Sequence, residues 1–265
     1  MGRTREVTAR GTWRRAPGRE GALVARSAIH AESQVLETPV EWELHEHALH
    51  ELVWVRGGAL TARVGERLFT VPAGYGLWLP AGVRHGGRLT AGVELSSAFF
   101  APDRSVTAFP EAVEVTMSPV LDSLLVHLAR PDLEPAARSR AEGVVFDVLE
   151  PAGEQLAITV SDDPRIAPIV RAIIDDPADD RGLEEWAAVV GASERTVTRV
   201  FRDTTGLAFA RWRSTVRAHR AMSLLAEGWE VQDVSDVLGY AQTSTFIAAF
   251  RRVTGRTPGT FRTRS

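Results

Sequence analysis

Three histidines and one glutamate are spaced so that they could bind a transition-metal ion. His45 and His47 are two residues apart, so both side chains face the same way on a β-strand. Glu51 follows four residues after His47, and His85 comes after a PAG turn at residues 80–82 that could return the chain across a barrel. Imidazole and carboxylate groups suit divalent Zn, Ni, Co, Mn or Fe. We therefore predict a metal site at these four residues. The alternative is that they are ordinary polar side chains.

Aromatic residues near this group predict an apolar ligand pocket. Trp54, Tyr75, Trp78 and Phe99 all lie in the same strand-rich region. Pockets for small molecules are lined mainly by apolar and aromatic side chains, although aromatic residues in a barrel are also common in the core. Strand alternation directs His50 away from the other histidines, so it is left out of the metal site.

A second group of residues has the spacing of a helix-turn-helix motif. Apolar residues on one face of a short helix precede Gly191, where glycine permits the backbone conformation that ends a helix. Ser193 is a suitable N-cap for the helix that follows. Ala187 supplies the small residue needed where the two helices pack, with glycine and an apolar residue at the motif's later positions.

The outward face of the second helix carries side chains that could contact DNA. Arg195 and Arg199 are four residues apart and share one face. Arginine can bind guanine through two hydrogen bonds in a major groove that admits one helix. The predicted DNA-contacting residues of this motif are Glu194, Arg195, Thr198 and Arg199.

The same pattern recurs between residues 231 and 255, with a turn one residue longer. Leu238 and Gly239 end the first helix, and Phe246 and Phe250 mark the inner face of the second. The predicted outward residues are Thr243, Ser244, Ile247 and Ala248. This nearly uncharged face could contact thymine methyl groups or rest near the DNA backbone.

One helical segment, residues 212–228, joins the two motifs. Its seventeen residues would span roughly 25 Å at 1.5 Å per residue. That length is comparable to one DNA turn of ~34 Å, so one chain could read two successive major-groove segments.

The patterning elsewhere predicts an α+β protein of two domains. Short β-branched or aromatic runs between residues 20 and 100 predict a small antiparallel barrel or sandwich, and apolar residues from 118 onward follow helical spacing. We expect a barrel over 1–117, a helical segment over 118–152, a linker over 153–163 and an all-α domain over 164–265. The leucine-rich helices could form a dimer surface or pack on their own barrel.

Composition and charge restrict the function further. The net charge of −3 hides a basic C-terminal part, because residues 181–265 contain 13 arginines and 8 acidic residues, so +5. A basic end on an acidic chain suggests a polyanionic partner. The chain has no cysteine, which excludes disulfides and thiolate metal sites and is typical of cytoplasmic proteins. No apolar run reaches the ~20 residues of a membrane span, so no membrane partner is expected.

The C-terminal pattern resembles the AraC/XylS family of transcription regulators. The resemblance covers residues 180 to 262 with little interruption, and departs at Ser235, where the family usually has alanine. The matching residues are Trp212, Arg217, Arg220, Leu238, Gly239, Tyr240, Phe246, Phe250, Gly255, Thr257, Pro258 and Phe261.

The N-terminal pattern resembles the cupin barrel. His45, His47, Glu51 and Gly58 fit its first motif, and Pro80, Gly82 and His85 fit its second, although the asparagine that often closes the second motif is absent. The resemblance implies a divalent metal at the four ligand positions named above. Many regulatory cupins instead bind small organic molecules without a metal.

Together the two resemblances imply a promoter-binding regulator. Its expected partners are double-stranded DNA, a metal or small-molecule effector, a second copy of the chain and RNA polymerase, and its expected action is activation. One alternative function is a metal-dependent cupin enzyme of the dioxygenase or isomerase type with an appended DNA-binding domain. Another is a nucleic-acid-binding protein whose metal-free barrel serves only for dimerisation. No catalytic constellation stands out near the histidines, so we expect a regulator and not an enzyme.

Overall fold

A computed structural model describes residues 28–104, 109–153 and 155–262. Contacts divide the chain into two compact units. The first comprises Met1–Val64 and Val71–Gln155, and the second comprises Gly65–Thr70 and Leu156–Ser265. Strands dominate the described part of the first unit and helices that of the second, which confirms the two-domain α+β class.

The first unit is built from antiparallel strands. One sheet has the order β1-β8-β3-β6-β9, and a second sheet contains β4, β7 and β2 in that order. The strand arrangement is compatible with the cupin resemblance. The strands up to residue 116 are β1 (Ile29–Leu36), β2 (Val40–His45), β3 (His50–Arg56), β4 (Ala59–Val64), β5 (Arg67–Pro72), β6 (Tyr75–Leu79), β7 (His85–Leu89), β8 (Val93–Phe100) and β9 (Val113–Thr116). Residues 67–70 of β5 belong to the second unit.

Strand β3 lies between β8 and β6 and has two chemically different faces. Glu51 pairs with Phe99 on β8 and with Leu79 on β6, whereas the next residue, Leu52, pairs with Trp78. Directly paired residues project to the same side of a sheet and successive residues to opposite sides. Glu51 and Phe99 therefore share one face, and Leu52 and Trp78 share the other.

Two helices cover the face that carries Trp78. Helix α1 (Pro119–Leu128) begins at Ser118, whose side chain accepts the Leu121 N–H, and helix α2 (Pro135–Val148) follows. Leu121, Leu125 and Leu128 are fully buried in one cluster with residues of the sheet. Burial of each leucine contributes about 1.5–3 kcal/mol. The leucine stripe thus packs on its own sheet, the second of the two options left open by the sequence.

The second unit begins with a strand pair. Within the segment expected to be a linker, β10 (Ile158–Thr159) pairs antiparallel with Leu68 and Arg67 of β5. The helices are α3 (Ala167–Asp175), α4 (Leu183–Val189), α5 (Glu194–Thr205), α6 (Phe209–Ala226), α7 (Val231–Val237) and α8 (Thr243–Thr254), followed by a 3-10 turn (Pro258–Phe261).

The core of the second unit is formed by large aromatic and aliphatic side chains. Trp186 of α4, Phe201 of α5 and Trp212 of α6 are at most 1% exposed and pack with the apolar face of α3. The first helix-turn-helix and the start of α6 therefore share one core. No helix in the described part of the chain is long and apolar enough to cross a bilayer.

Candidate nucleic-acid interface and metal centre

The first helix-turn-helix consists of α4 and α5. Gly191 has a φ of +65°, a conformation that a side chain would strain, and it reverses the chain between the helices. Ser193 caps α5 by accepting the Thr196 N–H at 3.2 Å. Val197, Val200 and Phe201 are buried against the rest of the unit. Because this apolar stripe fixes the rotation of α5, its opposite face points to solvent.

The outward face of α5 contains the predicted DNA contacts. Glu194, Arg195 and Arg199 are exposed and Thr198 is half-buried. Within the described residues, neither Arg195 nor Arg199 makes an ion pair with the chain. Both guanidinium groups are therefore available for an external acceptor.

The second helix-turn-helix consists of α7 and α8. Gly239, with a φ of +73°, ends α7, and Phe246 and Phe250 bury the inner side of α8. Ser244, Ile247 and Ala248 are exposed, while Thr243 is half-buried and its hydroxyl donates to the Gln232 side chain. The structure therefore brings all four predicted residues to the outer side of α8, with Thr243 at its edge.

Two arginines on this helix were missed by the sequence reasoning. Arg251 and Arg252 line a shallow surface depression together with Ser244, Ile247 and Ala248. Arg251 follows Ile247 by four residues and Ala248 by three, so the same helical spacing that identified those two could have extended the face to it.

Arg217 of α6 connects the two motifs. Its Nε donates to the Pro177 carbonyl at 2.7 Å, and its Nη2 donates to the carbonyls of Ala178 at 3.3 Å and Asp179 at 3.2 Å. Its guanidinium carbon lies 5.4 Å from the centre of the Tyr240 ring. One side chain thus binds both the loop that precedes α4 and the turn between α7 and α8.

The same helix binds the strand pair of the second unit. His219 is fully buried, with Nδ1 2.9 Å from the Thr70 hydroxyl and Nε2 against the Leu156 carbonyl. A carbonyl only accepts, so Nε2 carries the proton and Nδ1 accepts from Thr70. Burial lowers the pKa of His219 to about 4. Trp212 donates to the Thr159 carbonyl at 2.9 Å.

In the first unit, His47, Glu51 and His85 form a buried cluster. One ligand atom from each lies within 4.8 Å of the others. His47 Nε2 is 2.9 Å from Glu51 Oε2, and His85 Nε2 is 3.8 Å from the same oxygen. All three residues are at most 7% exposed.

Each imidazole binds a backbone carbonyl through Nδ1. The distances are 3.0 Å from His45 to Glu43, 2.6 Å from His47 to Leu49 and 2.9 Å from His85 to Val83. Because a carbonyl only accepts, each Nδ1 carries a proton, and Nε2 is the nitrogen that would bind a cation. This arrangement is typical of metal-binding histidines, whose second nitrogen donates to a carbonyl or carboxylate. The His47 and His85 imidazoles, together with the Glu51 carboxylate, form a donor set that fits a divalent cation.

Electrostatics support the same conclusion. Desolvation lowers the pKa of His85 to about 4, against a smaller upward effect of the Val83 carbonyl and Glu51. His85 is therefore neutral near pH 7, as a metal ligand must be. A neutral His47 would place a lone pair 2.9 Å from a carboxylate oxygen, so a shared proton or a metal ion is needed between them.

His45 lies at the edge of this cluster. It is half-buried at the end of β2, opposite His85, and the two rings are 4.3 Å apart between centroids. Its ring centre is 6.2 Å from that of His47. The structure thus brings three of the four predicted ligands into one tight group and places the fourth next to His85.

The turn at residues 80–82 positions His85. Gly82 donates to the His47 carbonyl at 2.8 Å, and the Ala81 N–H donates to His50 Nδ1 at 3.0 Å. His50 itself points to the opposite face of β3, where it stacks on Trp78 at 5.2 Å, as its exclusion from the metal site anticipated. Burial lowers its pKa.

The predicted aromatic pocket is only partly formed around the histidines. Phe99 contacts His47 edge-on, with ring centres 6.0 Å apart. Trp54 and Trp78 do not surround the site: they belong to the core under helices α1 and α2, because they lie on the opposite face of the sheet from Glu51. Tyr75 shares the Glu51 face of β6 but lies four residues from Leu79, the partner of Glu51.

Comparison with known proteins identifies relatives for almost the whole chain. A family model described as a helix-turn-helix domain matches residues 186–264. The HTH-type transcriptional regulator NimR of Escherichia coli is 33% identical over 250 residues, which cover 92% of this chain and 89% of NimR. The HTH-type transcriptional regulator RipA of Corynebacterium glutamicum is 32% identical over 80% of this chain, a match that spans 61% of RipA. Among solved structures, ToxT of Vibrio cholerae aligns with 88% of this chain and 95% of its own at 10% identity, with a TM-score of 0.37.

Proposed function

The chain belongs to the AraC family of helix-turn-helix transcription regulators, and we propose that a divalent metal ion bound in its N-terminal barrel controls how it binds promoter DNA. DNA-binding transcription regulation follows from family membership and from the helix-turn-helix match. The observation that carries the metal proposal is the geometry of the cluster, in which His47 Nε2 and His85 Nε2 lie 2.9 Å and 3.8 Å from the buried Glu51 carboxylate. His47, Glu51 and His85 are the proposed ligands, with His45 beside them as the fourth.

The proposed ion would lie between the His47 and His85 imidazoles and the Glu51 carboxylate. It would bind the imidazole nitrogens and the carboxylate of Glu51, a residue that is only 7% exposed. An ion held by His47, Glu51 and His85 alone, without His45, also keeps one coordination position for a small molecule. The effector is therefore either the ion itself or a small ligand bound to it.

Control of DNA binding requires that the effector bind two states of the protein with different affinity. The chain's own residues supply one component: Glu51 lies on β3, His47 lies three residues before that strand, and His85 begins β7 after the turn at residues 80–82. That turn is fixed by hydrogen bonds to the His47 carbonyl and to His50. Filling the site would tighten this turn, because His85 and His47 would then hold one ion between them.

The more specific properties proposed for this regulator rest on the family resemblance. Activation of transcription, contact with RNA polymerase, a cytoplasmic location and a homodimer formed through residues 118–152 are all part of the proposal. So is the division into a barrel, helices, linker and DNA-binding domain at the boundaries given above. For the dimer, exposed valines on α1 and α2 supply apolar surface, namely Val120, Val126 and Val144. The enzyme alternative gains no support, since the named relatives are transcription regulators.

The test is metal analysis combined with DNA binding. The experiment compares four proteins: wild type, His47→Ala, His85→Ala and the control His127→Ala, which changes an exposed histidine on α1. Each is purified, loaded with zinc, nickel, cobalt, manganese or ferrous iron, and dialysed without chelator. We expect about one ion per chain of at least one metal in wild type and His127→Ala and a large loss in the other two variants. DNA affinity should change with metal only in wild type and His127→Ala. Equal metal in all four, or none in wild type, would overturn the proposal.

A further inference from the structure

We propose that the two recognition helices read chemically different bases, so that α5 binds guanine through its arginines and α8 binds thymine methyl groups through Ile247 and Ala248. The inference concerns the DNA sequence that the chain recognises and rests on its DNA-binding function. It does not depend on the metal in the barrel.

The two recognition helices can be compared position by position. Each begins after a polar N-terminal turn, is 12 residues long and ends at a glycine with a φ of +72°, Gly206 in α5 and Gly255 in α8. In both, this glycine donates to the carbonyl four residues before it. The shared end makes the outward residues equivalent in pairs: Arg195 with Ser244, Thr198 with Ile247, and Arg199 with Ala248.

The α5 face is equipped to bind guanine. Arg195 and Arg199 are exposed, lie one turn apart, and make no ion pair within the described part of the chain. Guanine offers two acceptors, O6 and N7, to the major groove, and a guanidinium fork binds both. Thr198, between them, is compatible with any base because a hydroxyl both donates and accepts.

The α8 face has the opposite chemistry at the same positions. A small hydroxyl and a methyl group replace the two arginines, and Ile247, 36% exposed, replaces the threonine. These three side chains line the shallow depression, with arginines only at its C-terminal end. The thymine C5-methyl is the one apolar group that base edges present in the major groove, so it is the complement of an exposed aliphatic side chain there.

Arg251 and Arg252 fit this arrangement as phosphate contacts. They follow the apolar positions by one turn, in the last turn of α8. Contacts to phosphate orient a recognition element but carry no sequence information. The base-reading centre of α8 is therefore apolar, and its positive charge lies at the margin. The competing explanation is that Ile247 touches no base and α8 only rests against the backbone.

The experiment begins by selecting sequences bound by the full chain from a random DNA pool at one fixed metal concentration. In the selected site, each thymine is then replaced singly by deoxyuridine, which removes only the methyl group, and each guanine by 7-deazaguanine, which removes N7. Affinities are measured for wild type, Ile247→Ala, Arg199→Ala and the control Val35→Ala, an exposed valine on β1.

We expect the two kinds of sensitivity in two separate segments of the site. In one segment, deoxyuridine should weaken wild-type binding about fourfold, the effect of losing one buried CH₂-sized contact. Ile247→Ala should abolish that sensitivity while Val35→Ala preserves it. In the other segment, 7-deazaguanine should weaken wild type, and Arg199→Ala should no longer respond.

Three results would overturn the proposal. These are no thymine whose methyl group matters, methyl sensitivity that survives Ile247→Ala, and guanine and thymine effects that fall in a single segment. Failure to select any sequence would also overturn it, because no base would then be read. Because every comparison is a ratio at one metal concentration, the result does not depend on whether metal controls binding.

Discussion

Replacing His219 with a residue that cannot titrate should make the second unit less sensitive to acid. His219 is fully buried, and its two partners, the Thr70 hydroxyl and the Leu156 carbonyl, do not titrate. Glutamine can reproduce both hydrogen bonds, because its amide nitrogen donates and its oxygen accepts. His219→Gln therefore removes the titration while leaving the partners paired.

The size of the effect follows from the pKa of His219. Burial lowers it from 6.5 to about 4, so the folded chain holds this ring neutral. Below pH 6.5 the unfolded chain gains a proton that the folded chain does not, and the stability present above pH 6.5 is lost as pH falls to about 4. At 1.36 kcal/mol for each pH unit, the total loss is about 3 kcal/mol and the loss by pH ~5 is about 2 kcal/mol.

The assay is urea unfolding of wild type and His219→Gln at pH about 7.5 and about 5, followed by circular dichroism. The free energy of unfolding of wild type minus that of the variant should fall by about 2 kcal/mol between the two pH values. His85, whose pKa is also lowered to about 4, is present in both proteins, so its contribution cancels in the difference. A difference that stays constant with pH would refute the reasoning, because His219 would then titrate equally in the folded and unfolded chains.

Three further predictions concern the helix-turn-helix units. The Ser235 hydroxyl is buried without a hydrogen-bond partner in the described structure, so Ser235→Ala should raise the free energy of unfolding by about 1 kcal/mol in urea; a loss of stability would show that the hydroxyl is satisfied. Arg217→Lys should lower the free energy of unfolding by about 1–3 kcal/mol, because an ammonium cannot reach three carbonyls in the geometry of the guanidinium fork; unchanged stability would count against its role as a connector. Arg195→Ala and Arg199→Ala should each weaken binding to the selected DNA site by about 1–3 kcal/mol in a titration; an equal loss on random DNA would make them phosphate contacts.

The local parts of the fold were predictable from the sequence. Glycine, N-cap and apolar positions specify a helix-turn-helix within about 25 residues, and the structure places Gly191, Ser193 and Phe201 as that pattern requires. The rotation of a helix follows from its buried stripe, so the outward residues of α5 and α8 followed as well.

The face occupied by the aromatic residues was harder to predict. Trp54 follows Glu51 by three residues on one strand, so alternation alone would have placed it on the opposite face. The face occupied by Trp78 could not be predicted from alternation alone, because it depends on the pairing register of β6 with β3. The sequence of neither strand determines that register. The leucines of α1 predicted an apolar helix face, but the sequence did not show which surface that face packs against.

The pairing between β5 and β10 lay beyond any local pattern. Leu68 and Ile158 are 90 residues apart, and β10 is only two residues long. The amino-acid composition of neither strand identifies the other as its pairing partner. The contact exists because α6 supplies donors to the segment, from Trp212 to Thr159 and from His219 to Leu156.

This strand pair limits how the protein can be recombined. A chimaera that joins a foreign sensor to this chain at Leu156 would omit residues 65–70, which the contacts assign to the second unit. Its β10 would lose the pairing with Arg67 and Leu68, and the His219 Nδ1 would lose the Thr70 hydroxyl. Exchange of sensor halves between such regulators therefore requires a donor whose corresponding strand carries a hydroxyl at the position of Thr70. The point at which two genes can be fused is set by a strand that lies well upstream of the apparent boundary.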